Sequence, residues 1–223
     1  MTNYKRGSTA AVLVSAVVGL LVGYGIARGT NGSAVPAGDM APTSVSKAAD
    51  LRVVLNAIER QHVDLASTAV RNAFDGSADT NASVDALSAN TKRLSDAVAS
   101  VYGAEAGKKF SDIWSSHIGF FVDYTLAAKA GDKAKMDKAV QNLGGYADAV
   151  SDFLSQANPN LPREAVHGLV MQHIGHLKGA VDAYGRKDYA GSYTAQSEAY
   201  EQIGKIADAI AEAIVKQKPE AFN

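Results

Sequence analysis

Apolar residues recur at three- and four-residue spacing in six successive stretches, each the length of a long helix. The first stripe runs Leu51, Val54, Leu55, Ile58, His62, Leu65, Ala69 and Ala73, and the second carries Val84, Leu87, Leu94, Val98 and Val101. The third runs Phe110, Ile113, Trp114, His117, Phe121 and Tyr124. Met136, Val140, Leu143, Tyr146, Val150 and Phe153 form the fourth, and Val166, Val170, His173, Leu177, Ala180 and Tyr184 the fifth. The sixth holds Tyr193, Ile203, Ile206, Ile210 and Ile214 and stops before Pro219. Thr43 or Ser44 is a suitable cap for the first helix. Breaks are expected at Asp75–Ala82, Gly103, Gly131-Asp132, Asn158-Pro-Asn-Leu-Pro162 and Lys187-Asp188, where glycine, proline and turn residues gather.

The stripes repeat. Gln61-His62-Val63, Ser116-His117-Ile118 and Gln172-His173-Ile174 stand 55 and 56 residues apart. The alternate helices share Asp96-Ala97-Val98, Asp148-Ala149-Val150 and Asp208-Ala209-Ile210. The pattern predicts an all-α domain over 44–223 made of three tandem helical hairpins, about 44–103, 104–158 and 162–218. Such hairpins close into a six-helix bundle or stack as a short open array.

Ahead of this domain, Lys5 and Arg6 precede an uncharged run that Arg28 closes. A run of that length suits a transmembrane anchor over 8–28, with a signal peptide as the alternative. The positive residues place 1–7 in the cytoplasm and the domain outside, at the cell membrane or, after cleavage, secreted. Ser15, Gly19 and Gly23 lie on one face of the span, where small residues let two copies pair as a homodimer. Residues 29–43, rich in Gly, Ala and Pro, read as a flexible linker.

Composition narrows the function. A net charge of −1 leaves no basic surplus for nucleic acid. With no cysteine there is no disulfide, thiolate metal site or thiol nucleophile. No phosphate-binding loop, dinucleotide fingerprint or nucleophile elbow is present.

The remaining chemistry is histidine. His62, His117 and His173 occupy equivalent places in the three repeats. A closed bundle brings them toward one axis, where neutral imidazoles suit copper or zinc. His173-Ile-Gly-His176 adds a fourth candidate ligand, His176, one turn on. A haem pocket is a further reading, and core histidines copied with the repeat are the structural one. Glu59-Arg-Gln-His62 is a single Glu-x-x-His, too few for a diiron bundle.

The segment 50–223 resembles a group of bacterial extracytoplasmic helical-repeat proteins, some fused to the small N-terminal domain named after copper amine oxidases. The resemblance rests on Gln61-His62-Val63, Ser100-Val-Tyr-Gly103, Phe110, Trp114-Ser-Ser-His-Ile-Gly-Phe-Phe-Val-Asp-Tyr-Thr125, Asn158-Pro-Asn-Leu-Pro162, Gln172-His173-Ile174, Ala213-Ile-Val-Lys-Gln217, Pro219 and Phe222. It implies a helical extracytoplasmic domain and no established catalysis. Similar proteins often carry a His-Met pair in the last helix, where this chain has Tyr200-Glu-Gln-Ile203. The expected function is a membrane-anchored binding or scaffold module without catalytic activity, acting on an unidentified protein partner. The alternative is a copper-, zinc- or haem-binding protein.

Overall fold

The computed structural model describes residues 46–222. The anchor at 8–28, the linker at 29–43 and the small-residue stripe of Ser15, Gly19 and Gly23 lie outside the described residues. Six α-helices follow one another: α1 (Lys47–Asp75), α2 (Thr80–Tyr102), α3 (Ala104–Ala130), α4 (Lys133–Ala157), α5 (Arg163–Gly185) and α6 (Tyr189–Gln217). A short 3-10 turn, Pro219–Ala221, ends the described chain. None of the described helices is long and apolar enough to cross a membrane.

Each helix packs on the next, and α6 returns to α1, so the three hairpins close into a ring. The histidine-bearing helices α1, α3 and α5 also touch one another along the middle. Helices α2, α4 and α6 fill the grooves between them. Of the two arrangements open to three hairpins, the chain adopts the closed bundle. The hairpin tips at 76–79, 131–132 and 186–188 lie at one pole. Gly103, the 158–162 loop and both ends of the described chain lie at the other.

Local signals set the helix limits. Ser46, rather than Thr43 or Ser44, caps α1, its hydroxyl accepting from the Ala49 amide at 3.3 Å. Asp132 and Asp188 cap α4 and α6 by accepting from the amides of Lys135 and Gly191. Gly76 and Gly131 take the left-handed conformation that ends α1 and α3, with φ of 73° and 68°. In the third hairpin Lys187 adopts it instead, with φ of 62°.

The core has one large cluster and two small ones toward the hairpin tips, Ala66 with Ala69 and Leu87, and Tyr124 with Ala139 and Val181. The large cluster holds most of the buried apolar side chains. Leu55 and Ile58 of α1, Trp114 and Phe121 of α3, Val170 and Ile174 of α5, and Ile203 and Ile206 of α6 are among its members. Side chains of this size contribute about 1.5–3 kcal/mol each when fully buried. The inner face of α2 is different. There Asn90, Thr91 and Ser95 are buried, and the two hydroxyls accept no apolar role: they donate to the carbonyls of Leu87 and Thr91 on their own helix. These small residues let α3 come close. A Cβ on Gly107 would stand 2.5 Å from that of Ala99 and 2.8 Å from the Ser95 carbonyl.

A polar clasp closes the pole opposite the tips. Tyr102 donates its hydroxyl to Gln217 Oε1 at 3.0 Å and accepts from Asn158 Nδ2 at 3.1 Å. Gln217 Nε2 donates to the Ala157 carbonyl, and Asn158 Oδ1 accepts from the amide of Asn160. Nearby, Arg52 reaches Asp208 at 2.6 Å across the seam where α1 meets α6.

Candidate functional site

Halfway along the bundle the three repeat-equivalent histidines turn inward. His62, His117 and His173 are 1%, 5% and 8% exposed. His62 and His117 meet directly, with 3.3 Å between their Nε2 atoms. The other nitrogen of His117, Nδ1, is hydrogen-bonded to the Trp114 carbonyl one turn back. That acceptor holds the ring proton on Nδ1 and leaves Nε2 with its lone pair exposed toward His62.

The far side of His62 faces α2. Asn90 donates from Nδ2 to the Ile58 carbonyl at 3.0 Å and to Gln61 Oε1 at 3.1 Å. Those two bonds fix which end of the amide is oxygen. Asn90 Oδ1 and His62 Nδ1 are both buried and make no hydrogen bond of ordinary geometry. Asn90 is nonetheless close enough to favour the protonated His62 ring, as an acceptor does.

His173 stands apart from this pair, with neither ring nitrogen hydrogen-bonded. The Ala199 backbone acts on it in the direction of an acceptor, but outside hydrogen-bond geometry. One turn before His62, Glu59 is 2% exposed, and its Oε2 is without a partner. Trp114 Nε1 is also buried and unpaired. Aromatic rings hold the group in place: Tyr146 stacks on His117 at 4.5 Å, and Trp114 meets both His62 and His117 edge-on.

Burial governs the charges. It pushes all three imidazoles down to about 3, helped by repulsion of His62 by His117, of His117 by His173, and of His173 by His62 and His176. The rings are therefore neutral at ordinary pH. Burial alone pushes the Glu59 carboxyl up to about 8, so it is protonated at neutral pH. The Tyr146 hydroxyl is driven well above its usual range by burial and then by Glu59.

Glu59, His62, His117, His173, Trp114 and Tyr146 line a chamber of about 70 Å³ whose remaining walls are mostly apolar, aliphatic side chains with Phe110, Phe121 and Tyr102. A second space of about 30 Å³ lies toward the hairpin tips, lined by Ser67, Val70, Phe74 and Thr125. His62, His117 and Phe121 border both. Small-molecule sites start at about 300 Å³, whereas a buried water needs only about 10–15 Å³. The chamber is thus of a size for an ion with a few waters.

The fourth candidate goes elsewhere. His176 points to the outside and pairs with Glu198 at 3.0 Å, with a quarter of its side chain exposed. Among the described residues no three His, Asp or Glu side chains stand close enough to hold one metal ion together. Glu59 and Asn90 are the members that the histidine repeat does not point to. Glu59 is visible only as the acidic residue of Glu-x-x-His, and Asn90 only as a polar residue within the apolar stripe of α2. Comparison with protein-family models, with curated proteins and with solved structures finds no match to this chain.

Proposed function

We propose that the chain is a membrane-tethered, extracytoplasmic binding module without catalytic activity, and that its ligand is small enough to enter the bundle. One observation carries this reading. Three buried side chains that border one chamber, Glu59, His173 and Trp114, each leave a polar atom without a partner. A buried polar group without a hydrogen bond costs about 1–3 kcal/mol. Three around one small space are a cost that a bound ion with its waters removes. The anchor reading of 8–28 supplies the tether, and the scaffold role remains with the outer surface.

The test is the unfolding midpoint of the detergent-solubilised full chain, first stripped with chelator and then offered a panel. Zinc, copper, calcium, chloride and haem serve as its members. A ligand that binds only the folded state adds about 2.7 kcal/mol at 100 times its dissociation constant. A midpoint rise with one member, lost when the chamber is filled by Ala207→Leu, is the expected result. No rise with any member overturns the interior-ligand reading and leaves a scaffold.

A further inference from the structure

The chamber's chemistry narrows the ligand, on the premise that the interior is indeed where the ligand sits. We infer that His62 and His117 form a two-histidine seat for one tetrahedral transition-metal ion, zinc in the first place, with its other positions filled by water.

The first support is the 3.3 Å between the two Nε2 atoms. Two nitrogens bound to a tetrahedral ion at about 2.05 Å lie about 3.3 Å apart, whereas neighbouring ligands of a square-planar ion with equal bonds lie about 2.9 Å apart.

The second support is the far side of each ring. Metal-bound histidines donate their second nitrogen to a carbonyl or carboxylate, which fixes the tautomer and aims the lone pair. His117 does so to the Trp114 carbonyl. His62 turns Nδ1 toward Asn90, whose Nδ2 bonds leave Oδ1 free to accept. With the His62 proton held on Nδ1 by Asn90, the two Nε2 lone pairs face each other and repel unless a cation lies between them; with the proton on Nε2, His62 donates to His117 instead.

The third support is the surrounding chamber. Its 70 Å³ accommodates an ion and its waters. Those waters donate to Glu59 Oε2 and bond the free nitrogens of His173, which explains why these groups are buried without protein partners. His173 and Glu59 are then outer groups that hold the waters, consistent with the absence of a three-residue ligand cluster among the described residues. Two neutral imidazoles bind without first losing a proton. The apolar walls disfavour calcium and magnesium, which ask for six or more oxygens.

The experiment loads the chelator-stripped full chain with zinc, and in parallel with cobalt(II) as the spectroscopic probe. The expected result is one zinc per chain, an intense visible spectrum of tetrahedral cobalt, and a zinc absorption-edge shell of two imidazoles with oxygens. His62→Gln and His117→Gln should each weaken zinc by more than about 100-fold, beyond the 10–100-fold usual for outer-shell partners. His176→Gln should leave the affinity unchanged. If a Gln variant does not fold, the metal shell of the unaltered chain decides. A shell without imidazole, binding that survives both Gln changes, or no stoichiometric zinc overturns the seat. If zinc fails while another panel member binds inside, this inference falls and the interior-ligand reading stands. If nothing binds, both fall.

Discussion

Lys187 shows how closely the repeats copy one another and where the copy is imperfect. Gly76, Gly131 and Lys187 end the first helix of each hairpin, 55 and 56 residues apart like the histidines. A left-handed backbone costs a side chain with a Cβ about 1–2 kcal/mol, and glycine nothing. Lys187→Gly should therefore stabilise the domain by about 0.5–1 kcal/mol after glycine's greater freedom in the unfolded chain is counted. Urea unfolding checks this; a loss of stability would mean that the lysine side chain holds something the backbone does not. Gly107 predicts the opposite. Alanine there meets the Ser95 carbonyl and the Ala99 backbone, neither of which can rotate away. We expect Gly107→Ala to destabilise by about 1–3 kcal/mol, despite alanine's better helix propensity. A neutral result in the same unfolding assay would show that α2 and α3 separate freely.

The three inward histidines were legible before any coordinates, because His62, His117 and His173 each interrupt an apolar stripe at the same point of the repeat. The pairing of two with the third apart was not. It depends on how far each inner helix is rotated and displaced along its axis, which side-chain packing decides and a period of 55 does not. Asn90 was hidden for a related reason. A polar residue on a helix's inner face looks like a fault in the stripe until the partner across it is known. His176 illustrates the converse: spacing puts it on the same face as His173, and Glu198 draws it outward.

At the scale of elements, the sequence strings singled out along the chain divide into two groups. Those around His62, Trp114 and His173 build the chamber. Ser100–Gly103, Asn158–Pro162 and the segment ending at Gln217 build the clasp at the far pole instead. Without coordinates both groups look alike, as short strings of the sequence; their contacts separate them. The clasp ties the ends of α2, α4 and α6 through side chains rather than through a shared core. Asn158→Ala removes the donor to Tyr102 and the acceptor for Asn160 from a fully buried position. It should cost about 1–3 kcal/mol. Hydrogen exchange should quicken at 157–161 and 214–218 while the amides of 58–62 stay protected. Equal loss of protection throughout would mean that the clasp belongs to the global unfolding unit. The exposed ion pairs, such as Lys92 with Asp96 and Lys108 with Asp112, are worth little by comparison.

For the whole molecule, the buried titratable groups set a window of stability in the metal-free state. The three histidines titrate at about 3 when folded and 6.5 when unfolded. Their contribution is full above 6.5 and is lost as the pH falls from there toward 3, at up to about 1.4 kcal/mol per unit for each ring. Glu59 works the other way. Its protonated form is favoured by folding, so its contribution is full below 4.5 and is lost as the pH rises toward 8. Between 4.5 and 6.5 three rings oppose one carboxyl, and stability rises with pH. Above 6.5 only the carboxyl acts, and stability declines. Urea midpoints across the pH range should peak near 6.5, and Glu59→Gln should flatten the alkaline side. An unchanged midpoint from about pH 5 to 8 would show that water reaches these groups.

The seam between α1 and α6, pinned by Arg52 and Asp208, makes the fold indifferent to where its covalent thread is cut. Every neighbouring pair around the ring is joined by a turn except this one, and its two free ends lie at the same pole. Linking 218 to 46 through a short peptide and opening the chain at Gly103 or within 158–162 would yield a circular permutant with the same wheel of helices and the same three histidines at its hub. The proposed membrane tether would then leave from another spoke. The proposed ligand seat at the hub would be unchanged, which would make the orientation of that tether and the chemistry of the interior separately adjustable.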